Sequence, residues 1–203
     1  MPKAKAETIM NEKGISRAVT RIAHEILERN AGADTLVIIG IIRRGAALAK
    51  RIAEKIKQIE GIEVPVGFLD INMYRDDVHT KLDQPTIEKT EILFDIVDRN
   101  VILVDDVLFT GRTIRAALSA IIDFGRPRSI QLAVLVDRGH REYPIRPDYI
   151  GKNIPTSRDD RVKVRIKERD NAEMVLVEKA GLKKKKATKS TAKKAKTTGG
   201  ANK

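Results

Sequence analysis

The stretch VILVDDVLFTGRT, at residues 101–113, runs from four apolar residues into two aspartates and then into a short polar segment with a glycine. The apolar run at 101–104 is typical of a strand that is buried on both faces of a sheet. Packing alone gives no reason to place Asp105 and Asp106 side by side where such a strand ends. Open parallel sheets bind ligands beyond the carboxyl ends of their strands, so the stretch predicts a ligand-binding loop.

The residues after the aspartates indicate which ligand this is. Residues 109–113 lead into a predicted helix, whose first backbone N–H groups and partial positive charge favour a phosphate. Thr110 and Thr113 add hydroxyl donors, and Gly111 permits a tight turn. Carboxylates accept hydrogen bonds from vicinal sugar hydroxyls, so one loop could hold both ends of a ribose 5-phosphate. The alternative is a pair of helix-capping aspartates followed by ordinary turn residues. A Walker loop is excluded, because the stretch lacks the residue order of that motif.

The rest of the chain alternates strand and helix patterns. Apolar spacing predicts helices at 15–29, 46–58 and 112–123 and strands at 36–42, 64–74, 101–105, 130–136, 162–166 and 174–178. This alternation predicts an α/β fold with a mainly parallel sheet. Residues 75–90 are polar and contain a proline, and a connection of this length is typical of a lid over a site.

The composition excludes several classes of site. The 203 residues include no cysteine, so a disulfide framework, a thiolate metal site and a cysteine nucleophile are excluded. The N-terminus lacks the apolar segment of a secretory signal, and the longest apolar run, at 36–42, is too short to cross a bilayer. We therefore expect a cytoplasmic protein without membrane association.

The net charge of +12 is unevenly distributed along the chain. Nine lysines and no acidic residues fall in residues 183–203, which leaves +3 for residues 1–182. We expect a flexible N-terminus at 1–9, one domain at 10–182 and a disordered lysine-rich tail at 183–203. The tail is either a solvated extension or an arm that neutralises nucleic-acid phosphates, and the sequence leaves both open.

Residues 101–113 closely resemble the signature of type I phosphoribosyltransferases, which bind phosphoribosyl diphosphate (PRPP). The aromatic Phe109 followed by Gly-Arg-Thr is typical of one subgroup. Four further stretches resemble the PyrR family of bacterial pyrimidine operon regulators: TRIAHEILERN (20–30), YRDD (74–77), DFGRPRSIQLAVLVDRGHRE (123–142) and DYIGKNIPTS (148–157). The resemblance covers about residues 10–178. It implies the type I phosphoribosyltransferase fold, with a mainly parallel sheet flanked by helices, a lid loop and a small hood.

In that family one polypeptide has two activities. It binds an RNA attenuator in the pyrimidine-operon leader when uridine nucleotides are abundant, and it converts uracil and PRPP to UMP and diphosphate. The resemblance therefore implies PRPP, uracil, UMP, UTP and leader RNA as partners, Mg²⁺ bound together with PRPP, and a homodimer or higher homo-oligomer. Two alternatives stay open: a regulator with vestigial catalysis, and a purine phosphoribosyltransferase with the same sugar site. The intact loops favour retained catalysis, and the YRDD and VDRGHRE stretches argue against a purine.

The resemblance also assigns the catalytic and PRPP-binding residues. Asp105, Asp106 and Arg44 would be catalytic, with both carboxylates on the ribose hydroxyls, and no protein ligand of the metal is assigned. PRPP would contact the whole signature, which consists of Val101, Ile102, Leu103, Val104, Asp105, Asp106, Val107, Leu108, Phe109, Thr110, Gly111, Arg112 and Thr113.

The stretch GIIRRG, at 40–45, matches the family's diphosphate loop, with Arg43, Arg44 and Gly45 as the binding residues. The family usually has Thr-Arg-Gly there, so Arg43 is a departure that either strengthens diphosphate binding or points to solvent. Asp137 and Arg138 would shape the uracil pocket, and the alternative for Arg138 is a surface salt bridge.

The lid and the proton acceptor are less well defined by the sequence. The entrance of the lid would be formed by Tyr74, Arg75, Asp76 and Asp77. No residue is a convincing general base for the uracil proton: His79 falls in the presumed lid and His140 near the presumed base pocket, and a single histidine is more often incidental.

The expected RNA surface combines one helix face with two later residues. Thr20, Arg21 and His24 share a face of the first predicted helix, and these positions match the family's RNA surface together with Arg29, Arg146 and Lys152. The alternative is a solvated helix face with ordinary charge pairs four residues apart. Aromatic stacking platforms are missing, so the protein would recognise RNA through the polar edges of its bases and through its phosphates.

Overall fold

A computed structural model describes residues 6–71 and 89–180 of the chain. Its strands are β1 (Ala6–Asn11), β2 (Leu36–Ile41), β3 (Val66–Leu69), β4 (Asn100–Leu108), β5 (Ser129–Asp137), β6 (Tyr149–Asn153), β7 (Arg161–Arg165) and β8 (Met174–Glu178). Its helices are α1 (Glu12–Asn30), α2 (Arg44–Glu60), α3 (Arg112–Ile122) and α4 (Lys167–Asp170).

The main sheet is parallel and has the order β3-β2-β4-β5-β6. Alternate residues of its central strands pack into two separate cores. Ile38 and Ile102 lie in the core that α1 and α2 cover, whereas Val37 and Leu103 lie in the core that α3 covers. Because both faces are covered, the central strands are continuously apolar. The predicted α/β fold is confirmed.

A second, antiparallel sheet of three strands forms the hood, in the order β1-β8-β7. The expectation that residues 1–9 are flexible is wrong for residues 6–9, which belong to β1. Glu7 pairs with Val177 and Met10 with Val175, and the Met10 side chain is buried. Pairing with a strand about 170 residues away has no local sequence signal, which explains why the prediction failed. Residues 1–5 lie outside the described part of the chain.

Two other strands differ from expectation. β4 continues to Leu108, so both aspartates lie within the strand and not after it. The sequence did not predict β6, because only Tyr149 and Ile150 among its five residues are large and apolar. This strand forms an edge of the parallel sheet, with Tyr149 packed in one core and Ile150 against the other. Gly151 allows its close approach to β5, because a Cβ atom there would lie 2.4 Å from the carbonyl oxygen of Leu135.

The predicted lid entrance, Tyr74, Arg75, Asp76 and Asp77, and the lysine-rich tail at 183–203 lie outside the described residues. Within the described residues, no helix combines the length and apolar character needed to span a membrane.

Candidate active site

Three loops meet at the carboxyl edge of the parallel sheet, because β2, β4 and β5 all end there. The predicted diphosphate loop (residues 40–45) joins β2 to α2, and the sugar-phosphate loop (residues 105–113) joins β4 to α3. The base segment (residues 136–142) follows β5. The structure therefore brings together three of the four predicted parts of the site.

Gly45 brings the diphosphate loop against the aspartates. A Cβ atom at this position would lie 2.5 Å from the carbonyl oxygen of Val104 and 3.2 Å from the Cα atom of Asp105. Real Cβ atoms essentially never approach a carbonyl oxygen so closely, so only glycine fits without a backbone shift. The start of α2 can therefore lie directly beside the carboxylate pair.

The two aspartates differ in their surroundings. The side chain of Asp105 is buried, and its Oδ1 atom accepts a hydrogen bond of 2.8 Å from the backbone N–H of Asp106. Burial raises the pKa of Asp106, although the positive charge of Arg44 and a hydrogen bond with Asp105 act in the opposite direction. A carboxylate in such a position gains from a hydroxyl or cation that approaches it.

The sugar-phosphate loop presents a helix N-terminus. Gly111 has a φ of 90° and precedes the first residue of α3, and no side chain among the described residues caps this helix in the usual way. The carbonyl oxygen of Thr110 accepts backbone hydrogen bonds from Glu142 and Tyr143, at 2.9 and 3.1 Å. The loop is thus fixed by the base segment while the first amides of α3 are directed to the sheet edge, where an anion can bind.

Arg44 and Arg43 have different environments in the diphosphate loop, whose Ile42–Arg43 peptide bond is cis. The Arg44 guanidinium group is half-buried and bound to Asp170 of α4 by two hydrogen bonds, of 3.0 and 2.7 Å. Arg43 is exposed and lines a cavity of about 300 Å³ together with Lys50 and Lys89. The exposure of Arg43 and its position beside two lysines leave both predicted alternatives open: diphosphate binding and a side chain that points to solvent.

Asp137 of the base segment organises its own loop. Its Oδ1 atom accepts the N–H of Gly139 at 2.9 Å, and its Oδ2 atom accepts a hydrogen bond from Arg141. Arg141 also donates to the carbonyl oxygens of Phe109 and Ile145, at 3.0 and 2.9 Å. The role of Arg141 was not predicted from the sequence, because a spacing of four residues indicates a pair only in a helix and Arg141 lies in the loop after β5.

Arg138 is buried, so the alternative of a surface salt bridge is wrong. Its guanidinium carbon lies 4.0 Å from the ring centre of Phe109, and its side chain donates to the Thr156 hydroxyl and the Ser157 carbonyl. Burial lowers the pKa of Arg138. The residue therefore joins the base segment, the sugar-phosphate loop and the loop after β6.

His140 packs its ring against the edge of Phe109, with 6.0 Å between ring centres. Its Nε2 atom lies 2.7 Å from the carbonyl oxygen of Thr156. His79, the other histidine considered as a base, lies outside the described residues. Within the described residues, no cluster of three or more His, Asp or Glu side chains could hold a metal ion by itself.

The predicted RNA residues lie along a seam between α1 and β6. Arg21 donates to the carbonyl oxygens of Ile150 and Gly151, each at 2.8 Å, and Arg29 pairs with Asp148 at 2.6 Å. The Lys152 ammonium group lies 3.3 Å from the carbonyl oxygen of Ile9 in β1. The remaining predicted residues, Thr20, His24 and Arg146, are half-buried or exposed.

The alternative for this surface, ordinary charge pairs along the helix, is also observed in part. Arg21 forms an ion pair with Glu25, four residues further along α1. Its guanidinium group is therefore held in place before any ligand binds.

Comparison with known proteins identifies the family. The family described as Phosphoribosyl transferase domain matches residues 5–167. A protein named Bifunctional protein PyrR from Deinococcus radiodurans is 59% identical over 86% of this chain and 93% of its own length. The protein of the same name from Acetivibrio thermocellus is 60% identical over 85% of this chain and 94% of its own length. The chain belongs to the PyrR family of phosphoribosyltransferases. The family predicted from residues 20–30, 101–113 and the other quoted stretches is thus confirmed.

Solved phosphoribosyltransferases outside the PyrR family share the fold. HGPRT-ase from Leishmania tarentolae in complex with GMP aligns with a TM-score of 0.66 and 18% identity, over 89% of this chain and all of that one. A hypoxanthine-guanine phosphoribosyltransferase from Bacillus anthracis aligns with a TM-score of 0.62 and 18% identity, over 86% of this chain and 98% of that one. At this identity the likeness concerns the fold alone, and the predicted phosphoribosyltransferase fold is confirmed.

Proposed function

We propose that this protein converts uracil and PRPP to UMP and diphosphate, and that it also regulates pyrimidine genes by binding leader RNA. One observation carries the catalytic part: Gly45 places the start of α2 against Asp105, while the start of α3 follows from the same strand. Two helix N-termini thus flank a carboxylate pair. PRPP has the complementary form, a ribose with anions at both ends. The relatives' shared name, Bifunctional protein PyrR, supports a protein with two activities.

Each part of PRPP has a binding group in this arrangement. The first amides of α3 and the hydroxyls of Thr110 and Thr113 would hold the 5-phosphate. Asp105 and Asp106 would accept hydrogen bonds from the ribose hydroxyls. The start of α2 and the guanidinium group of Arg44 would hold the diphosphate.

The donor set also fits a Mg²⁺ ion that arrives with PRPP. The carboxylates of Asp105 and Asp106 are oxygen ligands of the kind that Mg²⁺ prefers. Burial raises the pKa of Asp106, and a cation beside this carboxylate would favour its ionised form. Further ligands would come from the substrate. When bound, the ion supplies positive charge to the diphosphate.

The reaction breaks the bond between ribose C1 and diphosphate, uracil N1 forms the new bond to C1, and the N1 proton passes to water. Positive charge develops on the sugar and negative charge on the leaving diphosphate. The carboxylates of Asp105 and Asp106 would stabilise the positive charge on the sugar. Arg44 and the amides at the start of α2 would stabilise the negative charge on the diphosphate. Phe109, which contacts Arg138 of the base segment, would face the uracil side of the site.

The RNA-binding part is supported by the seam between α1 and β6, where Arg21, Arg29 and Lys152 are held at the surface. We propose that the leader RNA binds there and that UMP or UTP promotes binding. The protein would act in the cytoplasm, as a homodimer or higher homo-oligomer. The first alternative, vestigial catalysis, is disfavoured by the three loops that meet at the carboxyl edge of the sheet. The purine alternative is disfavoured because the purine enzymes share only the fold at 18% identity.

Two assays on one preparation test the two parts separately. Conversion of labelled uracil to UMP should require both PRPP and Mg²⁺. Retardation of a pyrimidine-leader hairpin in a native gel should strengthen when UMP is added and exceed that of a scrambled hairpin. UMP formation without a preference for the leader hairpin would contradict only the regulatory part, and the reverse result would support the regulator with vestigial catalysis.

A further inference from the structure

We infer that a basic cavity between β1, α1 and β6 binds one unpaired nucleotide of an RNA loop. The cavity has a volume of about 500 Å³ and opens beside the predicted RNA surface. Sites for small ligands have volumes of about 300–1,000 Å³, so a nucleotide fits. This inference rests on the proposed RNA binding and adds a site on β1 and the first turns of α1, which the family resemblance did not assign.

The charge of the lining favours an anion. Arg17, Arg21 and Lys152 line the cavity, and none of the described residues that line it is acidic. A larger groove between α1 and α2 provides the contrast: its volume is about 610 Å³, and its lining mixes lysines and Arg51 with three glutamates. The lack of an acidic residue in its described lining therefore distinguishes the cavity beside β1 from the other groove on the same helix.

Two of the three cations are held in position by the main chain. Lys152 contacts the carbonyl oxygen of Ile9, and Arg21 is bound to two β6 carbonyls and to Glu25. Three of the five N–H groups of the Arg21 guanidinium are thus engaged. The planar face of the guanidinium and its two other N–H groups remain for a ligand, and RNA bases stack on guanidinium planes. This arrangement supplies a stacking surface in a cavity whose described lining contains no aromatic side chain.

The inner wall combines apolar and polar groups, as a base requires. Met10 and Ala18 are buried and line the cavity. Asn11 also lines it; its Oδ1 atom caps α1 by accepting the N–H of Gly14 at 2.9 Å, which leaves the side-chain amino group as the donor. A base can pack on the apolar wall and receive this hydrogen bond, while the phosphate of the nucleotide meets Arg17 and Lys152.

A nucleotide within an RNA loop fits this cavity better than a free one. Arg21 belongs both to the cavity lining and to the seam of predicted RNA residues, so a chain lying along the seam can place one unstacked nucleotide in the cavity. Specific recognition of RNA mostly uses unstacked bases of loops and bulges.

Gly14 offers a test that leaves the charge unchanged. It lines the cavity, and a Cβ atom there would make only ordinary contacts, at 3.4 Å from Asn11 Oδ1 and 3.6 Å from Met10 Cβ. Gly14→Ala should therefore be tolerated, whereas the longer side chain of Gly14→Met should fill the cavity. We expect Gly14→Met to weaken binding of a leader hairpin by at least about tenfold, as for the loss of one stacked base, and Gly14→Ala by less than about twofold.

Arg17 provides a second variant with a matched control. Within the described residues, no hydrogen-bond partner of Arg17 is seen, whereas Lys13 is an exposed cation of the same helix outside the cavity. Arg17→Gln should weaken hairpin binding by about fivefold or more, and Lys13→Gln by less than about twofold, because both remove the same long-range charge and only Arg17 meets the nucleotide. All four variants should form UMP at the wild-type rate.

Direct occupancy can be followed at Met10, one of the four methionines of the chain. In a spectrum of ¹³C-methyl-labelled methionine, the Met10 signal should shift when the hairpin is added and should stay in place with UMP alone. A shift with UMP but not with the hairpin would show a free-nucleotide site and overturn the inference. Wild-type affinity in Gly14→Met would also overturn it while leaving the proposed regulation intact. Absence of hairpin binding by the wild-type protein would refute the proposed regulation and the cavity assignment together.

Discussion

Arg44, the first residue of α2, and Asp170, the last residue of α4, form a two-point ion pair although they are 126 residues apart in the chain. The Nε atom lies 3.0 Å from Oδ2 and the Nη2 atom 2.7 Å from Oδ1. The hydrogen bond to Arg44 lowers the pKa of Asp170. Two turns further along the same face of α2, Arg51 binds Glu168 and Glu173. The hood is therefore attached to the helix that carries the diphosphate loop.

Asp170→Asn should weaken PRPP binding, because it leaves Arg44 without the charge that orients it. A hydrogen bond to a charged group contributes about 1.5–3 kcal/mol, and the partial exposure of both groups reduces this to about 1 kcal/mol. The KM for PRPP should rise about fivefold, and the affinity for UMP, which lacks the diphosphate, should not change. Glu168→Gln is the matched control, since it changes a hood carboxylate that binds Arg51. An equal loss of PRPP and UMP affinity in Asp170→Asn would indicate general damage to the site and contradict the orienting role.

Gly45→Ala should disable the site, because the new methyl group would collide with the carbonyl oxygen of Val104. Either α2 or β4 must shift, which typically costs about 1–3 kcal/mol of stability. We expect a lower midpoint of thermal unfolding and loss of most of the activity with uracil and PRPP. Gly14→Ala is the control, because its methyl group has room. Equal behaviour of the two variants would refute the account of Gly45.

Asp106→Asn should lower the rate of UMP formation by at least about tenfold. The substitution keeps the shape of the side chain and removes the charge that faces the ribose, and the loss of a charged hydrogen bond of about 1.5–3 kcal/mol corresponds to this factor. Steady-state kinetics with saturating uracil would measure it. An undiminished rate would show that Asp106 has been assigned to the wrong part of the site.

The same variant should be more stable than the wild-type protein at neutral pH. Burial raises the pKa of Asp106 above its value in the unfolded chain, so the ionised carboxylate destabilises the ligand-free fold. This destabilisation is absent below the ordinary carboxyl pKa and develops as the pH rises through the raised pKa. The unfolding midpoint of Asp106→Asn should therefore be higher than that of the wild-type protein at about pH 8. The two midpoints should converge at about pH 4. A variant that is less stable than wild type at pH 8 would contradict the raised pKa.

Phe109→Leu should affect uracil more than PRPP. The ring carries the contact with Arg138, which is worth about 0.5–2 kcal/mol, whereas the phosphates are held by backbone amides of the loop. We expect the KM for uracil to rise at least about threefold and the KM for PRPP to change less. Phe124→Leu, at an exposed position outside the site, serves as the control. A larger effect on PRPP than on uracil would place Phe109 with the sugar and not with the base.

The sequence predicted those parts of the fold and site that depend on neighbouring residues. The apolar runs before Asp105 and in β2 exist because both sheet faces are covered, and that requirement is visible locally. The loops at 40–45 and 105–113 follow such strands, so the parallel sheet brings them to one edge.

The parts that could not be predicted depend on distant partners. Nothing near Asp170 indicates Arg44, and nothing in residues 6–11 indicates β8. Arg138 was open to interpretation as a surface residue because arginine is rarely buried; only the fold brings Phe109 and the Ser157 carbonyl around it. The roles assigned to Tyr74, Arg75, Asp76 and Asp77 stay predictions.

The most direct test of the central claim is the consumption of PRPP with uracil, hypoxanthine and guanine supplied separately under the same Mg²⁺ concentration. The account predicts that uracil supports rapid release of diphosphate with formation of UMP, and that both purines leave PRPP nearly unchanged. Faster consumption with hypoxanthine or guanine than with uracil would contradict it.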